Sequence, residues 1–467
     1  MPQQYREYIE ANQANILRDI SRLVAIRSVK GPAEPGAPYG TEVRRCQNEA
    51  MDICREAGLE VTDIDGRIAY AHYGDTERFI GVIAHIDVVP EGNGWDSNPF
   101  ELNLKDGYMV GRGTGDNKGP FVLALYAIKY LIENSIKLNY GIRLIIGLDE
   151  ETGMSDIIYY NENCAKPLFA FTPDAEFPVC HGEKGIYEAN IISPAIKSRA
   201  IAVLCGGVAS NVVPDCAHAE LDKEHFPALQ RAAQGRDDIT VTAAGKLARV
   251  EAKGRAAHAG MPEQGINANF VLMDFLSASG VLHGEEKKAV DFICAVLGDI
   301  GGDNLGIACD DGKFTPLSII GGVISLFDNR FVLNVNCRYP TAISAEELEK
   351  RIESAGAAHG FEVEAATNSA PFYLDPETPA VTLLCDIYNE AADTDEKPYL
   401  MAGGTYARYM ENAVAFGIES PHPNDPAWVG KAHMKNEAMS LENAKQACEI
   451  FIKALIRLQE IEFLLQG

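Results

Sequence analysis

The chain has 467 residues, which is too long for one ordinary hydrophobic core and predicts two domains. Its 46% hydrophobic and 23% charged residues are typical of a soluble globular protein. The formal net charge of −26 argues against nucleic acid or an anionic membrane as a partner, because both bind mainly through cationic side chains.

The amino-terminal residues show no basic stretch followed by an apolar run, so we expect no secretory signal. No window approaches the uninterrupted apolar length of a membrane span. These two observations predict a cytoplasmic protein.

Helices and strands alternate in the first part of the chain. Apolar residues at helical spacing predict helices over residues 4–27 and over the run TEVRRCQNEAMDICREAGLEV. Short apolar runs rich in β-branched residues predict buried strands in RFIGVIAHIDVV, GIRLIIGL and LFAFT. The run PFVLALYAIKYLIEN predicts a helix between the first two strands. This alternation indicates an α/β sheet.

From about residue 186 the pattern changes to short strand-like runs, namely IYEANII, ITVTAAG, LARVEAKG and RFVLNVNCRYP. We predict two helices among them, ANFVLMDFLSAS and SAEELEKRIESAG, and therefore an inserted α+β domain. The helix TPAVTLLCDIYNEAA, the strand VAFG and a last helix over about 440–464 return to the α/β pattern. The predicted domains are thus residues 1–186 with 374–467, and residues 187–373.

Side chains that bind metals follow several of these strands. His85 and Asp87 in AHID are two residues apart, so a strand would direct both to one side, where the carboxylate could hold a metal-binding histidine. Asp116 lies in the glycine-rich GTGDNKGP, and Asp174 lies in TPDAEFP. Taken singly, each has a structural alternative: a satisfied buried histidine, a helix N-cap and a turn residue, respectively.

The segment GLDEETG places three adjacent carboxylates, Asp149, Glu150 and Glu151, directly behind an apolar strand. Adjacent carboxylates repel one another and resist desolvation, so a cation or a proton must compensate them. Two divalent ions bridged by one carboxylate would supply this compensation. A solvated acidic turn is the structural alternative.

Together these motifs resemble a known family. The run HIDVVPEGNGWDSNPFELNLKDGYMVGRGTGDNKGP, followed by LDEETG and TPDAEFP, resembles the co-catalytic metallopeptidases, which include aminoacylases, carboxypeptidase G-type enzymes, desuccinylases and dipeptidases. TPDAEFPV with GEKG, the long insertion and AGGTYAR are most similar to the dipeptidase V branch, which is related to carnosinase. The resemblance covers essentially the whole chain. It implies a mixed-sheet, zinc-peptidase-type catalytic domain with an inserted α+β lid domain.

The resemblance also implies a dinuclear centre of Zn²⁺ or Mn²⁺, with Co²⁺ as a further candidate because such ligand sets accept all three. His85 and Asp174 would bind one ion, and Asp116 would bridge both. Glu151 and His433 would bind the other ion, the histidine being assigned because AHMKNEAMS resembles the HxxNE segment of the family. His422, in ESPHPNDP, is the competing ligand.

Other roles follow from the same resemblance. Asp87 would orient His85, and Glu150 would be the general base. Asn117 stands where the family commonly has a second aspartate, and we expect this difference to tune the site without loss of metal.

The inserted domain and the later part of the chain supply the implied substrate contacts. His258, in GRAAHAGMPEQGINA, would stabilise the oxyanion, and Asn211, in SNVVPD, would face the substrate. Arg338, in NCRYP, would bind the substrate carboxylate, a role that suits a planar two-pronged donor. Gly403 and Gly404, in AGGT, would add backbone N–H donors.

We therefore expect a metal-dependent dipeptidase that hydrolyses unblocked dipeptides. One alternative is an N-acyl amino-acid deacylase or desuccinylase with the same metal site. Others are a non-catalytic metal- or substrate-binding protein and an acidic α/β protein whose carboxylates only cap turns. We expect a monomer, with a homodimer as the alternative, because the enlarged insertion resembles one that closes the site within a single chain.

Overall fold

The computed structural model describes residues 2–418 and 425–463. The helices in this part of the chain are α1 (Gln3–Val24), α2 (Thr41–Glu56), α3 (Lys118–Glu133), α4 (Ser155–Asn163), α5 (Phe226–Ala232), α6 (Ala268–Ala278), α7 (Gly284–Leu297), α8 (Ala345–Ala358), α9 (Pro379–Ala392) and α10 (Leu441–Leu458). Among them, no helix combines the length and the apolar composition that crossing a membrane requires.

The strands of the first half of the chain are β1 (Glu60–Ile64), β2 (Ile68–Tyr73), β3 (Phe79–His85), β4 (Asn103–Lys105), β5 (Tyr108–Val110), β6 (Gly141–Gly147), β7 (Phe169–Thr172), β8 (Cys180–Glu183), β9 (Gly185–Ile192), β10 (Ile201–Gly206), β11 (Val212–Val213) and β12 (Cys216–Asp222). Those of the second half are β13 (Ile239–Ala244), β14 (Leu247–Lys253), β15 (Ala257–His258), β16 (Ser318–Phe327), β17 (Arg330–Tyr339), β18 (Glu362–Ser369), β19 (Phe372–Tyr373), β20 (Tyr399–Met401), β21 (Ala413–Ala415) and β22 (Ala438–Ser440).

The chain divides into two compact units. The first comprises Met1–Gly182, Leu374–Tyr399 and Gly404–Gly467, and the second comprises Glu183–Tyr373 and Leu400–Gly403.

The first unit is built on a mixed sheet in which the strands follow the order β1-β2-β6-β3-β7-β21-β8. Its central strands β6, β3, β7 and β21 are parallel, and every residue of β3 and β6 is buried. Buried parallel strands need apolar side chains on both faces, which explains the continuous apolar runs of the sequence. The helix α3 is also buried over most of its length.

Parallel strands end at the same edge of a sheet. His85 is the last residue of β3, β6 stops at Gly147 just before the acidic segment, and β7 stops at Thr172 just before Asp174. The topology therefore brings the polar segments that follow these strands to one edge, the usual position of a site in such sheets.

The second unit contains an antiparallel sheet in the order β13-β14-β12-β10-β16-β17-β9-β18. Its buried side chains form a hydrophobic core with those of α6, α7 and α8. In β17 the apolar residues alternate with polar ones, as expected for a sheet that has one face in the core.

The predicted fold class is confirmed: a mixed α/β unit accompanies an α+β unit. The prediction of only two helices in the insertion was wrong, because α5 and α7 also occur there. α7 carries apolar residues at helical spacing, including Val290, Ile293 and Leu297, behind a charged first turn. In that turn Glu286 is buried and accepts backbone N–H groups from Ala200 and Ile201, so the acidic start of the segment does not mark a loop.

Candidate metal centre

His85 lies at the centre of a first group of metal-binding side chains. The ring is fully buried at the end of β3, and its Nε2 is 2.9 Å from Oδ1 of Asp116 and 3.6 Å from Oδ2 of Asp174. Candidate ligand atoms of these three residues all lie within 4.8 Å of one another. This group can therefore hold a metal ion.

A second group shares Asp116 with the first. The Nε2 atom of His433 is 2.9 Å from Oδ2 of Asp116 and 3.0 Å from Oε2 of Glu151. These ligand atoms also lie within 4.8 Å of one another. Asp116 thus directs one carboxylate oxygen to each group. His422 lies outside the described residues.

Two orphaned atoms show that these side chains fit a metal. Nε2 of His85 and Oε1 of Glu151 are both buried, and neither makes a hydrogen bond of acceptable geometry within the described chain. Buried polar atoms normally have a partner. Imidazole and carboxylate donors are those that zinc, manganese and cobalt accept.

Glu150 and Glu151 hold a proton more tightly than ordinary carboxyl groups do. Burial, followed by the charge of Asp174, raises the pKa of Glu150 well above its ordinary value. Burial and the charge of Asp116 raise the pKa of Glu151 to about 7. A bound cation would replace these protons as the compensating charge.

The pKa values of both histidines in these groups are also raised. Burial lowers the pKa of His433, but the hydrogen-bonding carboxylates of Asp116 and Glu151 outweigh it and raise that pKa to about 11. Burial likewise opposes the protonation of His85, and the surrounding carboxylates, foremost Asp174, raise its pKa well above the ordinary value. These shifts favour the protonated form of both rings.

Asp87 lies beside His85 and behind the acidic segment. Nδ1 of His85 is 3.0 Å from the carbonyl oxygen of Asp87 and can donate to it, which leaves Nε2 as the ligand atom. The Asp87 carboxylate is 3.4 Å from the same Nδ1 and accepts the backbone N–H groups of Glu150 and Glu151 at 3.4 and 3.2 Å. One residue thus holds both the ring and the turn.

The third acid of GLDEETG has a structural position. Asp149 is buried, forms an ion pair with Lys30 at 2.6 Å, and accepts hydrogen bonds from the hydroxyls of Thr152 and Ser155. Its Oδ2 also accepts the backbone N–H of Ser155, the first residue of α4, at 3.3 Å, so Asp149 has different surroundings from Glu150 and Glu151.

The chain shows clear relatives. The model of Peptidase family M20/M25/M40 matches residues 81–457. The chain belongs to this peptidase family. This M20 protein is accordingly a peptide hydrolase, and the His, Asp and Glu groups described above agree with the metal dependence of the family.

Individual relatives match over nearly their whole length. YtjP of Bacillus subtilis strain 168, which bears a provisional dipeptidase name, is 29% identical over 460 residues, covering 95% of this chain and 97% of that protein. A similarly named Staphylococcus aureus MRSA252 protein is 31% identical over 475 residues, covering 97% of this chain and 99% of its own. The solved structure of human carnosine dipeptidase 1 is similar in fold, with a TM-score of 0.57 and 15% identity over 99% of this chain and 100% of that one.

Glu437 is a residue of this M20 site that the sequence analysis did not assign. It is buried, and its Oε1 accepts backbone N–H groups from Gly113, Gly115 and Asp116 at 3.0, 3.0 and 3.1 Å. The other oxygen, Oε2, accepts from the guanidinium of buried Arg112. Through these bonds Glu437 holds the glycine-rich loop that carries the shared ligand Asp116. The motif AHMKNEAMS, from which His433 was assigned, also contains Glu437, so the sequence offered a basis for assigning Glu437 as well.

Asn436, the neighbour of Glu437, connects the same segment to a different loop. Its Oδ1 accepts the backbone N–H of Asp96 at 2.9 Å, and its Nδ2 donates to the carboxylate of Asp96 at 3.1 Å. The segment that carries His433 is thus tied to two loops of the first unit.

Asn117 contacts a candidate ligand through its amide. Nδ2 donates to the carbonyl of Pro173 at 2.7 Å and to Oδ1 of Asp174 at 3.0 Å. An amide can make these bonds and an ionised carboxylate cannot, because a carboxylate only accepts. The asparagine therefore supports the position of Asp174.

Two of the expected substrate contacts lie side by side in the second unit. β11 pairs with β15, which places Val212 opposite His258, and the backbone N–H of Ala259 donates to the carbonyl of Asn211 at 2.9 Å. The ring of His258 is exposed, and its Nδ1 accepts the backbone N–H of Gly260 at 3.1 Å. In the neutral ring the proton is therefore on Nε2.

Arg338 and the glycine segment form a second pair of expected contacts. The buried guanidinium donates through Nη1 to the carbonyl of Ala402 at 3.0 Å, next to Gly403. Gly404 belongs to the first unit, and a Cβ added there would lie 2.6 Å from Nη2 of Arg408. A side chain at Gly404 would thus displace Arg408.

Proposed function

We propose that this peptidase is a dipeptidase with two divalent metal ions, and that it hydrolyses unblocked dipeptides. The observation that carries the proposal is that the two carboxylate oxygens of Asp116 face different ligand groups. Oδ1 lies next to His85, and Oδ2 lies next to His433. His85 and Asp174 would hold one ion, Glu151 and His433 the other, and Asp116 both. Zn²⁺ and Mn²⁺ are the expected metals, with Co²⁺ as a substitute.

When bound, such ions polarise a carbonyl and lower the pKa of water. Glu150 is the proposed general base, which takes a proton from the attacking water and passes it to the leaving amine. Two features support this role. First, its backbone N–H donates to the carboxylate of Asp87. Second, burial raises the pKa of its own carboxyl group, and a raised pKa suits a residue that must accept a proton and return it.

The proposed substrate contacts involve two parts of the dipeptide, the carbonyl group of the scissile bond and the C-terminal carboxylate. His258 would donate from Nε2 to the developing oxyanion, consistent with the acceptance of the Gly260 N–H at Nδ1. Asn211 would face the substrate from the adjacent turn, and Arg338 would bind the carboxylate of the substrate. Gly403 and Gly404 would supply backbone donors.

The names of relatives support a dipeptidase in particular. The Bacillus subtilis and Staphylococcus aureus proteins carry provisional dipeptidase names, and the human protein of similar fold is a carnosine dipeptidase. We further propose that the second unit acts as a lid and that the protein is a cytoplasmic monomer.

The test is hydrolysis of a substrate panel by metal-stripped protein reloaded with Zn²⁺ or Mn²⁺. The panel contains free dipeptides, including β-alanyl-histidine, their C-terminal amides, a tripeptide, and N-acetyl and N-succinyl amino acids. We expect metal-dependent cleavage confined to free dipeptides. Cleavage of only the acylated compounds would make the protein a deacylase or desuccinylase, and no turnover with metal bound would favour a binding protein.

A further inference from the structure

One face of the antiparallel sheet in the second unit carries polar side chains that are matched between neighbouring strands. Glu188 of β9 and Asn336 of β17 are partners in the register, and Arg338 is two residues further along β17. Successive residues of a strand point to opposite faces, and Val335 and Cys337, on either side of Asn336, belong to the hydrophobic core. The three polar residues therefore share the other face.

A continuous chain of hydrogen bonds connects these side chains. Nε of Arg338 donates to Oδ1 of Asn336 at 2.9 Å, and Nδ2 of Asn336 donates to Oε1 of Glu188 at 2.6 Å. The hydroxyl of Ser210 donates to the same Oε1 at 2.9 Å. Glu188 thus contacts the partner of Arg338 and the residue immediately before Asn211.

The carboxylate oxygens of Glu188 decide how Asn336 is oriented. An ionised carboxylate only accepts hydrogen bonds, so the NH₂ group of Asn336 must face it. The carbonyl of the Asn336 amide is then directed to Arg338, whose Nε can only donate. Asn336 is fully buried, so water cannot replace Glu188 or Arg338 as a hydrogen-bond partner of the amide.

The result is a fixed guanidinium plane. Arg338 is held at Nε by Asn336 and at Nη1 by the carbonyl of Ala402. A guanidinium is planar, so two fixed nitrogens determine the direction of the third, and a preset plane favours two-pronged binding of a carboxylate.

We propose that Glu188 is a positioning residue that sets the Arg338 guanidinium, and with it the adjoining Asn211 turn, for the carboxylate of the substrate. The proposal rests on the proposed dipeptidase function, in which Arg338 binds that carboxylate. Glu188 acts through Asn336 and Ser210 and does not touch the substrate.

The test compares Glu188→Gln with wild type on free dipeptides and on the corresponding dipeptide amides. Glutamine has nearly the same shape but brings an NH₂ group, which allows the Asn336 amide to turn over. We expect the KM of free dipeptides to rise about tenfold while kcat changes little, and the KM of the amides to stay unchanged. The midpoint of thermal unfolding should remain close to that of wild type.

Asn334→Ala is the matched control. Asn334 lies on the same face of β17, but its amide donates to Asn190 at 3.1 Å and is not part of the chain that reaches Arg338. This variant should leave the KM of both substrate classes unchanged. An equal KM increase for dipeptides and amides in Glu188→Gln, or no increase with either, would overturn the proposal.

A second measurement does not depend on turnover. The Nε–H resonance of Arg338, assigned by its loss in Arg338→Lys, should exchange slowly with water in wild type and fast in Glu188→Gln. Unchanged exchange would contradict the role of Glu188. If wild type cleaves no dipeptide, the proposed function fails, and the exchange rate still decides whether Glu188 orients Arg338.

Discussion

The backbone N–H of Asp116 donates to Oε1 of Glu437 at 3.1 Å, although the two residues are 321 positions apart in the chain. The same carboxylate also binds the N–H groups of Gly113 and Gly115, so it holds the loop that presents the shared metal ligand. Since His433 precedes Glu437 by only four residues, a single segment supplies one ligand and holds another.

Glu437→Gln should weaken metal binding by roughly 10–100-fold, as is typical when a residue that orients a metal ligand is changed. Glutamine accepts with one oxygen only and leaves Arg112 without its counter-charge. Isothermal titration of the metal-stripped protein with Mn²⁺ measures the effect. Glu442→Gln is the control, because Glu442 is an exposed residue of α10 that pairs with Arg6. Equal affinities of the Glu437 variant and the wild type would contradict the assignment.

Glu150→Gln should reduce kcat by roughly 10²–10⁴-fold, because glutamine cannot accept the proton of the attacking water. Metal content should not change, since Glu150 belongs to neither ligand group. Turnover and metal analysis of the same preparation provide the measurement. Near-wild-type turnover at full metal content would show that another group is the base.

Substitutions of ligands and of His258 should separate metal binding from turnover. His433→Ala and Glu151→Ala should lose metal and activity together, because each removes a side chain from the second ligand group. His258→Ala should retain metal and lose about 10²-fold in kcat, the usual effect of removing one oxyanion donor. Loss of metal in His258→Ala would indicate a ligand role and exclude the proposed one.

Metal binding should release protons and strengthen as pH rises. In the metal-free protein the pKa of His433 is about 11 and that of Glu151 is about 7, so both are largely or partly protonated near neutrality. Ligands bind in their deprotonated forms, and a bound ion therefore expels these protons. Titrations with Mn²⁺ in buffers of different ionisation enthalpy count the protons released. An affinity that does not change between pH 6 and 8 would argue against these histidine and glutamate ligands.

The same pKa shifts predict the stability of the metal-free protein. A group whose pKa is raised on folding stabilises the protein below its unfolded value and loses this contribution as pH rises through the folded value. For Glu151 this interval runs from 4.5 to about 7, so its contribution disappears on approaching neutrality. Added Mn²⁺ should therefore raise the unfolding midpoint more at pH 8 than at pH 6. A larger shift at pH 6 would contradict the prediction.

Local sequence determined the elements that place the candidate ligands. Continuous apolar runs predicted β3, β6 and β7, and polar residues directly after them marked the sheet edge that holds His85, Glu151 and Asp174. The three adjacent acids also indicated a compensating cation, because their repulsion is a property of the sequence itself. The resemblance then gave Asp116 its bridging role and added His433, two residues that no local pattern would have joined.

Contacts between distant segments were decided only by the tertiary structure. Glu437 acts through backbone N–H groups of a loop more than 300 residues earlier, and backbone donors leave no mark in the side-chain pattern. Asp149 likewise differs from the neighbouring Glu150 and Glu151 because it contacts Lys30 and Ser155 at the start of α4.

In the second unit, the sequence predicted β9 and β17 as short strands, but the register between the strands decided that Glu188 meets Asn336. A shift of one residue would have turned these side chains to the other face. Residue type and local spacing therefore indicated which residues are polar, buried or crowded with charge. Long-range strand pairing and loop packing decided which of them meet, because those contacts join residues that no local periodicity connects.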